Sequence, residues 1–163
     1  MSDIKALVVG ELSLVEQRNV EQLEAWAIAC TVPGGSAARL VDEVYADQPE
    51  VVSVLTGTYV ARVGLSKRAW REAEEIMEAR YVSRRIVFTA VHPRGDTIAV
   101  EARIEQVLKD GTQRGWPFAV FLAFDSSARI VSDHTYMLPH PNQDDLDRAA
   151  AAVERAGGHD YGL

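Results

Sequence analysis

One change in the period of the apolar residues constrains this chain more than any other feature. Before residue 82 apolar side chains mostly recur every three or four positions; from there they recur every second position. The first spacing gathers side chains on one face of a helix, the second on one face of a strand. Helices followed by a run of strands predict an α+β fold.

Residues up to about Leu12 are ambiguous. Ser13-Leu14-Val15-Glu16 fits a capping box, with Asn19-Val20-Glu21-Gln22 as a competing start. Val20, Leu23, Trp26, Ala27 and Cys30 then form one helical stripe that Pro33-Gly34-Gly35 ends. Ser36 caps an expected second helix, with Leu40, Val41, Val44 and Tyr45 inward and 46–49 closing it. Two short strands are expected at 51–55 and 58–63, around Thr56-Gly57. A third helix follows Ser66, with Trp70, Ala73, Met77 and Tyr81 on one side.

Strands are expected at 82–92, 97–108, 116–124 and 129–137, separated by short turns, so an antiparallel meander is the simplest arrangement. A last helix is expected at about 143–156, ended by Gly157-Gly158. The 163 residues suit a single domain with a core over about 13–138 and a C-terminal extension over 139–163.

Two of these strands carry the functional signal. In Thr97–Leu108, Ile98, Val100, Ala102 and Ile104 share one face, while Glu101, Arg103 and Glu105 share the other. Such a charge ladder is a solvated surface feature or, in a pocket, an acid–base device. In 116–124, Trp116, Phe118, Val120, Leu122 and Phe124 line one face, and Pro117, Ala119, Phe121 and Ala123 the other. An antiparallel sheet with one wet face does not read apolar on both sides. Helices can cover one face and a second copy of the chain the other, so a homodimer is expected. Asp133 is a further outlier, a carboxylate in an apolar strand. Tyr45, Tyr59, Trp26, Trp70 and Trp116 are the aromatics that would line a hydrophobic ligand cavity.

The net charge of −7 argues against a nucleic-acid partner. One cysteine allows no internal disulfide, and Cys30 reads as a core residue. No apolar run approaches a membrane span, and Met1-Ser2-Asp3-Ile4-Lys5 does not open a signal peptide, so a soluble cytoplasmic protein is expected. No phosphate-binding loop, dinucleotide fingerprint, nucleophile elbow or histidine metal spacing is present.

The order helix, helix, two short strands, helix, four-strand meander resembles the nuclear transport factor two-like fold. That fold is a cone-shaped α+β barrel, with N-terminal helices packed on a curved, mainly antiparallel sheet. The passages that carry the resemblance are residues 40–47, residues 95–101 and Phe121 through Tyr136. In the last, Ala128-Arg129-Ile130-Val131 stands where these proteins often have a glycine, a basic residue and isoleucine.

Within the superfamily the chain is most similar to SnoaL-like polyketide cyclases and limonene-epoxide hydrolases. In the hydrolases an arginine and an aspartate two apart on a long inner strand act with a second aspartate on the last strand. Arg103-Ile104-Glu105 matches the pair with glutamate for aspartate; Thr135 stands at the second aspartate's position, and Asp133 two residues earlier can substitute. Ketosteroid isomerases match less well, because their base and oxyanion-hole acid fall near Ser53 and Val120.

The resemblance implies a cofactor-independent, metal-free acid–base enzyme of a biosynthetic pathway: a cyclase, epoxide-opening hydrolase or isomerase with a hydrophobic, oxygenated small-molecule substrate. Glu105 would be the base, held by Arg103, with Asp133 or Glu101 as proton donor. Tyr45, Tyr59, Trp26, Trp70, Trp116 and Thr135 would contact substrate. The alternative is a non-catalytic small-ligand-binding or dimerisation module of the same fold.

Overall fold

The computed structural model describes residues 4–55, 58–62 and 66–137, with side chains at all of these except 53–55, 58–62 and 73. The Thr56-Gly57 turn, the Tyr59 side chain and the helix expected at 143–156 lie outside the described parts.

A short 3-10 turn at Ile4–Leu7 precedes helix α1, Leu14–Ala29. The capping box forms as expected: Glu16 N–H donates to Ser13 Oγ at 3.3 Å, and Ser13 N–H donates to Glu16 Oε2 at 2.8 Å. Glu16 also accepts from Gly95 N–H at 3.0 Å, while Asn19 Nδ2 donates to the Gly95 carbonyl at 3.2 Å. One turn of α1 therefore holds the tip of a distant hairpin. The Val20, Leu23, Trp26 and Ala27 stripe is buried, and Cys30 behind it is buried and free.

The second helix is much shorter than the sequence implies. Ser36 caps α2, Ala37–Arg39, which widens into a π-helical turn at Leu40–Val44. Tyr45 then opens strand β1, Tyr45–Leu55, so residues 46–49 belong to a strand instead of closing a helix. The inward residues were read correctly, since Leu40, Val41, Val44 and Tyr45 are all buried. A spacing of one, three and one fits a helix and a wide turn alike, and cannot separate them. Pro49 is tolerated in β1 because the ladder shifts register between Tyr45 and Glu50, where a missing N–H leaves no partner waiting.

After β2, Thr58–Arg62, helix α3 runs over Lys67–Glu78 with Ser66 as its cap. Tyr81 begins β3 and is not part of α3. The remaining strands are β3, Tyr81–Arg94; β4, Thr97–Leu108; β5, Gln113–Phe124; and β6, Ile130–Met137. They form the expected antiparallel meander in a six-stranded sheet of order β2-β1-β6-β5-β4-β3. β1 joins it parallel to β6 and antiparallel to β2. The sheet is mixed, curved and unclosed, with the helices packed against it.

The covered face carries Ile98, Val100 and Ala102 of β4 and Phe118, Val120 and Leu122 of β5, all buried with the α1 stripe in one core. Each large apolar side chain buried there contributes about 1.5–3 kcal/mol. The opposite face carries Glu101 and Arg103 of β4 and Phe121 of β5, which are exposed. No described helix is long and apolar enough to cross a membrane.

Candidate functional site

β6 puts Asp133 on the covered face, opposite Leu122 of β5 and Val51 of β1, both buried. At 4% exposure it is a carboxylate inside an apolar row. Such a group is costly to bury unless it is hydrogen-bonded. Two hydroxyls meet that need: Tyr45 Oη donates to Asp133 Oδ2 at 2.5 Å, and Thr135 Oγ1 donates to Oδ1 at 2.7 Å.

Tyr45 is delivered by the π-helical turn. It enters the sheet opposite Ile130 at the start of β6, with its ring 5.7 Å from that of Trp70 on α3, tilted at 58°. Its oxygen accepts from Trp26 Nε1 of α1 at 3.1 Å. An indole N–H can only donate, so the Tyr45 proton is directed at Asp133 and the chain of bonds has one polarity, Trp26 to Tyr45 to Asp133. Burial, and next the Asp133 charge, push the Tyr45 hydroxyl well above the usual tyrosine range. It therefore stays a phenol and a donor. Asp133 accepts on both of its oxygens.

Of the residues singled out in the sequence, the fold thus brings Asp133, Tyr45, Trp26, Trp70 and Thr135 into one cluster. Trp116 lies on the same sheet face further along β5, buried, with Nε1 3.2 Å from Met137 Sδ. Glu101, Arg103 and Glu105 are not in that cluster. They project from the opposite face of β4, as strict alternation from Ile98, Val100 and Ala102 requires.

Glu105 there accepts from Arg85 of β3, at 2.7 Å from Nε and 2.6 Å from Nη2. Arg103 Nε is 3.9 Å from its other oxygen, and the Arg103 side chain is 57% exposed. The sequence reading missed Arg85 because the pairing of Arg85 with Glu105 depends on register across two strands. Among the described residues no cluster of His, Cys, Asp and Glu side chains is placed to hold a metal ion.

No protein-family model and no curated protein matches the sequence. Solved structures do match it. An NTF2-like protein from Anabaena variabilis ATCC 29413 superposes with a TM-score of 0.62 at 14% identity, over 80% of this chain and 95% of its own. The fold is NTF2-like. Other proteins with this NTF2-like architecture include a SnoaL-like protein from Jannaschia sp. CCS1, at TM-score 0.60 and 13% identity, covering 88% of this chain and 96% of that one. An LEH-like epoxide hydrolase from M. tuberculosis matches at TM-score 0.59 and 14% identity, covering 86% and 94%. At these identities the likeness is one of NTF2-like fold, and the chemistry is argued from the Asp133 cluster.

Proposed function

We propose that this protein is a small-molecule acid–base enzyme of the cyclase, epoxide-opening hydrolase or isomerase kind, working on a hydrophobic, oxygenated substrate of a biosynthetic pathway. The observation that carries the proposal is Asp133, a carboxylate buried in the core and held by two hydroxyls. Nothing in the packing of Leu122 and Val51 calls for a charge between them, and an apolar residue there would be cheaper. The likeness in fold to a SnoaL-like protein and to an epoxide hydrolase supports the same class.

In this reading Asp133 is the base and takes a proton from water or from a substrate C–H or O–H. Tyr45 and Thr135 are positioning residues that orient its two oxygens, and Trp26 fixes the direction of the Tyr45 proton. Trp26 and Trp70 form the apolar wall beside it. Glu105 and Arg103 stand on the opposite face of β4, away from this cluster.

The test is a panel of cyclic epoxides and β-keto cyclisation substrates, assayed with the wild-type chain and Asp133→Asn. Wild-type turnover is expected, with a loss of at least about a hundredfold in Asp133→Asn. Quenching of tryptophan fluorescence by the same compound should persist, because the amide nearly preserves shape. Undiminished turnover by Asp133→Asn refutes the assignment, and ligand binding without turnover in wild type leaves the ligand-binding module.

We infer also that the protein acts as a homodimer through the outer sheet face. Phe121 and Tyr136 are 54% and 44% exposed there and meet edge-on at 5.8 Å between centroids. Half-buried Ala99, Ala119 and Ala123 flank them. An apolar patch of this kind marks an interface.

A further inference from the structure

The outer sheet face that Phe121 and Tyr136 mark also carries two charges of opposite sign. Glu101 and Arg103 stand two positions apart on β4, both exposed and on the same face. Their neighbours across the sheet are uncharged: Ala90 and Ala119 beside Glu101, Val87 and Pro117 beside Arg103. Phe121 lies one step along, opposite Ala99. The two charges therefore rise from apolar surroundings, next to the aromatic pair.

Neither charge is well matched within the chain. Glu101 forms no ion pair among the described residues. Arg103 Nε is 3.9 Å from Glu105 Oε1, while Arg85 holds the other oxygen of Glu105 in a two-pronged contact at 2.6 and 2.7 Å. A guanidinium that is 57% exposed gains little from so long a contact. Two copies of a chain with a net charge of −7 also repel each other, so a contact between them gains from local cancellation of charge. A two-fold axis supplies that cancellation wherever plus and minus sit side by side, because residue i then meets j and j meets i. Alternate side chains on a strand are about 7 Å apart. An axis crossing β4 between positions 101 and 103 therefore sets Glu101 of each copy against Arg103 of the other.

We propose that two copies of this chain pair face to face on a two-fold axis at β4, joined by two reciprocal Glu101–Arg103 ion pairs. This rests on the homodimer reading above and adds to it the symmetry, the register and the groups by which the chain selects its own copy. Phe121 and Tyr136 supply apolar area, and the ion pairs supply orientation and choice of partner. Moving the axis one residue either way along β4 sets Glu101 against Glu101 or Arg103 against Arg103. The charges thus disfavour the slipped registers as well as favouring the right one.

Sedimentation of the full-length chain tests this. Wild type should dimerise at micromolar concentration. Glu101→Arg and Arg103→Glu should each weaken the dimer at least about a hundredfold, because each sets like charges together twice. Glu101→Arg combined with Arg103→Glu keeps the net charge and should restore the dimer to within about tenfold of wild type. An equimolar mixture of the two single variants, one of them fluorescently labelled, should form the mixed dimer in preference to either homodimer. Should a swapped variant fail to fold, Glu101→Gln and Arg103→Gln decide instead, each expected to weaken the dimer about tenfold. A monomeric wild type overturns this inference together with the homodimer reading. A dimeric wild type whose folded single variants dimerise as well as it does, or a double variant no better than the singles, overturns the pairing and leaves the homodimer standing.

Discussion

Replacing Tyr45 with Phe removes one oxygen from the middle of a buried chain of bonds, and the structure says what that costs. The ring, its contact with Trp70 and the packed volume remain. Two hydrogen bonds go: the one donated to Asp133 at 2.5 Å and the one accepted from Trp26 at 3.1 Å. A bond to a charged acceptor contributes about 1.5–3 kcal/mol, and a buried N–H left without its acceptor costs about 1–3 kcal/mol. Tyr45→Phe should therefore lose about 3–5 kcal/mol, a large part of the roughly 5–15 kcal/mol that stabilises a domain. Urea unfolding at pH 7 followed by circular dichroism measures it. The same substitution in an Asp133→Asn background should cost about 1–2 kcal/mol less, because a neutral amide is the weaker acceptor. A loss below about 1 kcal/mol, or strict additivity of the two substitutions, would refute a charge-assisted contact at Asp133.

Alkaline stability should depend on Cys30, whose thiol burial pushes up from 9.0 to about 12. A thiol whose folded pKa is raised gives full stability below its unfolded pKa and loses it as pH climbs toward the folded one. Over three pH units this amounts to about 4 kcal/mol, so Cys30→Ala should flatten the limb between pH 9 and 12 by that order. Identical alkaline limbs, by urea unfolding at each pH, would show that the thiol is not held in the core. For the outer face, sedimentation at micromolar concentration should find wild type dimeric and Phe121→Glu with Tyr136→Glu monomeric but folded; a monomeric wild type removes the dimer.

How legible the sequence was depended on whether a feature was local. The Ser13–Glu16 capping box and β4 at Thr97–Leu108 were legible to the residue, because a cap and an alternating strand each declare themselves within a few positions. The turn before β6 was legible through the resemblance. Ala128 adopts φ 59°, the left-handed conformation that favours glycine, the residue the resemblance implies at that turn. The π-helical turn at 40–44 was not legible, since its apolar spacing is also that of a helix.

The pocket reading of the β4 charges rested on the outer sheet face being covered. The alternation already put Ile98, Val100 and Ala102 inward and the charges outward. The two-sided apolar pattern of 116–124 suggested that the outer face was covered too. Phe121 at 54% exposure shows that no described element of the same chain covers it, so in the single chain Glu101 and Arg103 are exposed and Glu105 is half-buried beside Arg85. Asp133 stood out as an outlier, but its bond to Tyr45 depends on β1 lying beside β6, which no local pattern states.

That parallel pairing of β1 with β6 also sets when the cluster can exist. The hairpins of the meander close over a few residues each, whereas Tyr45 and Asp133 stand 88 positions apart. Closing so long a loop costs about 3 kcal/mol more in chain entropy than closing a turn of four. β1 should therefore dock after the meander has formed, and Tyr45, Trp26 and Asp133 meet only in the last stage of folding. Contacts made that late hold the finished fold together without speeding its formation. In Tyr45→Phe the lost stability should then appear as faster unfolding with an almost unchanged folding rate, which stopped-flow urea jumps resolve. A nascent chain that has not yet released β6 would carry every aromatic of the cluster and not Asp133, which they surround.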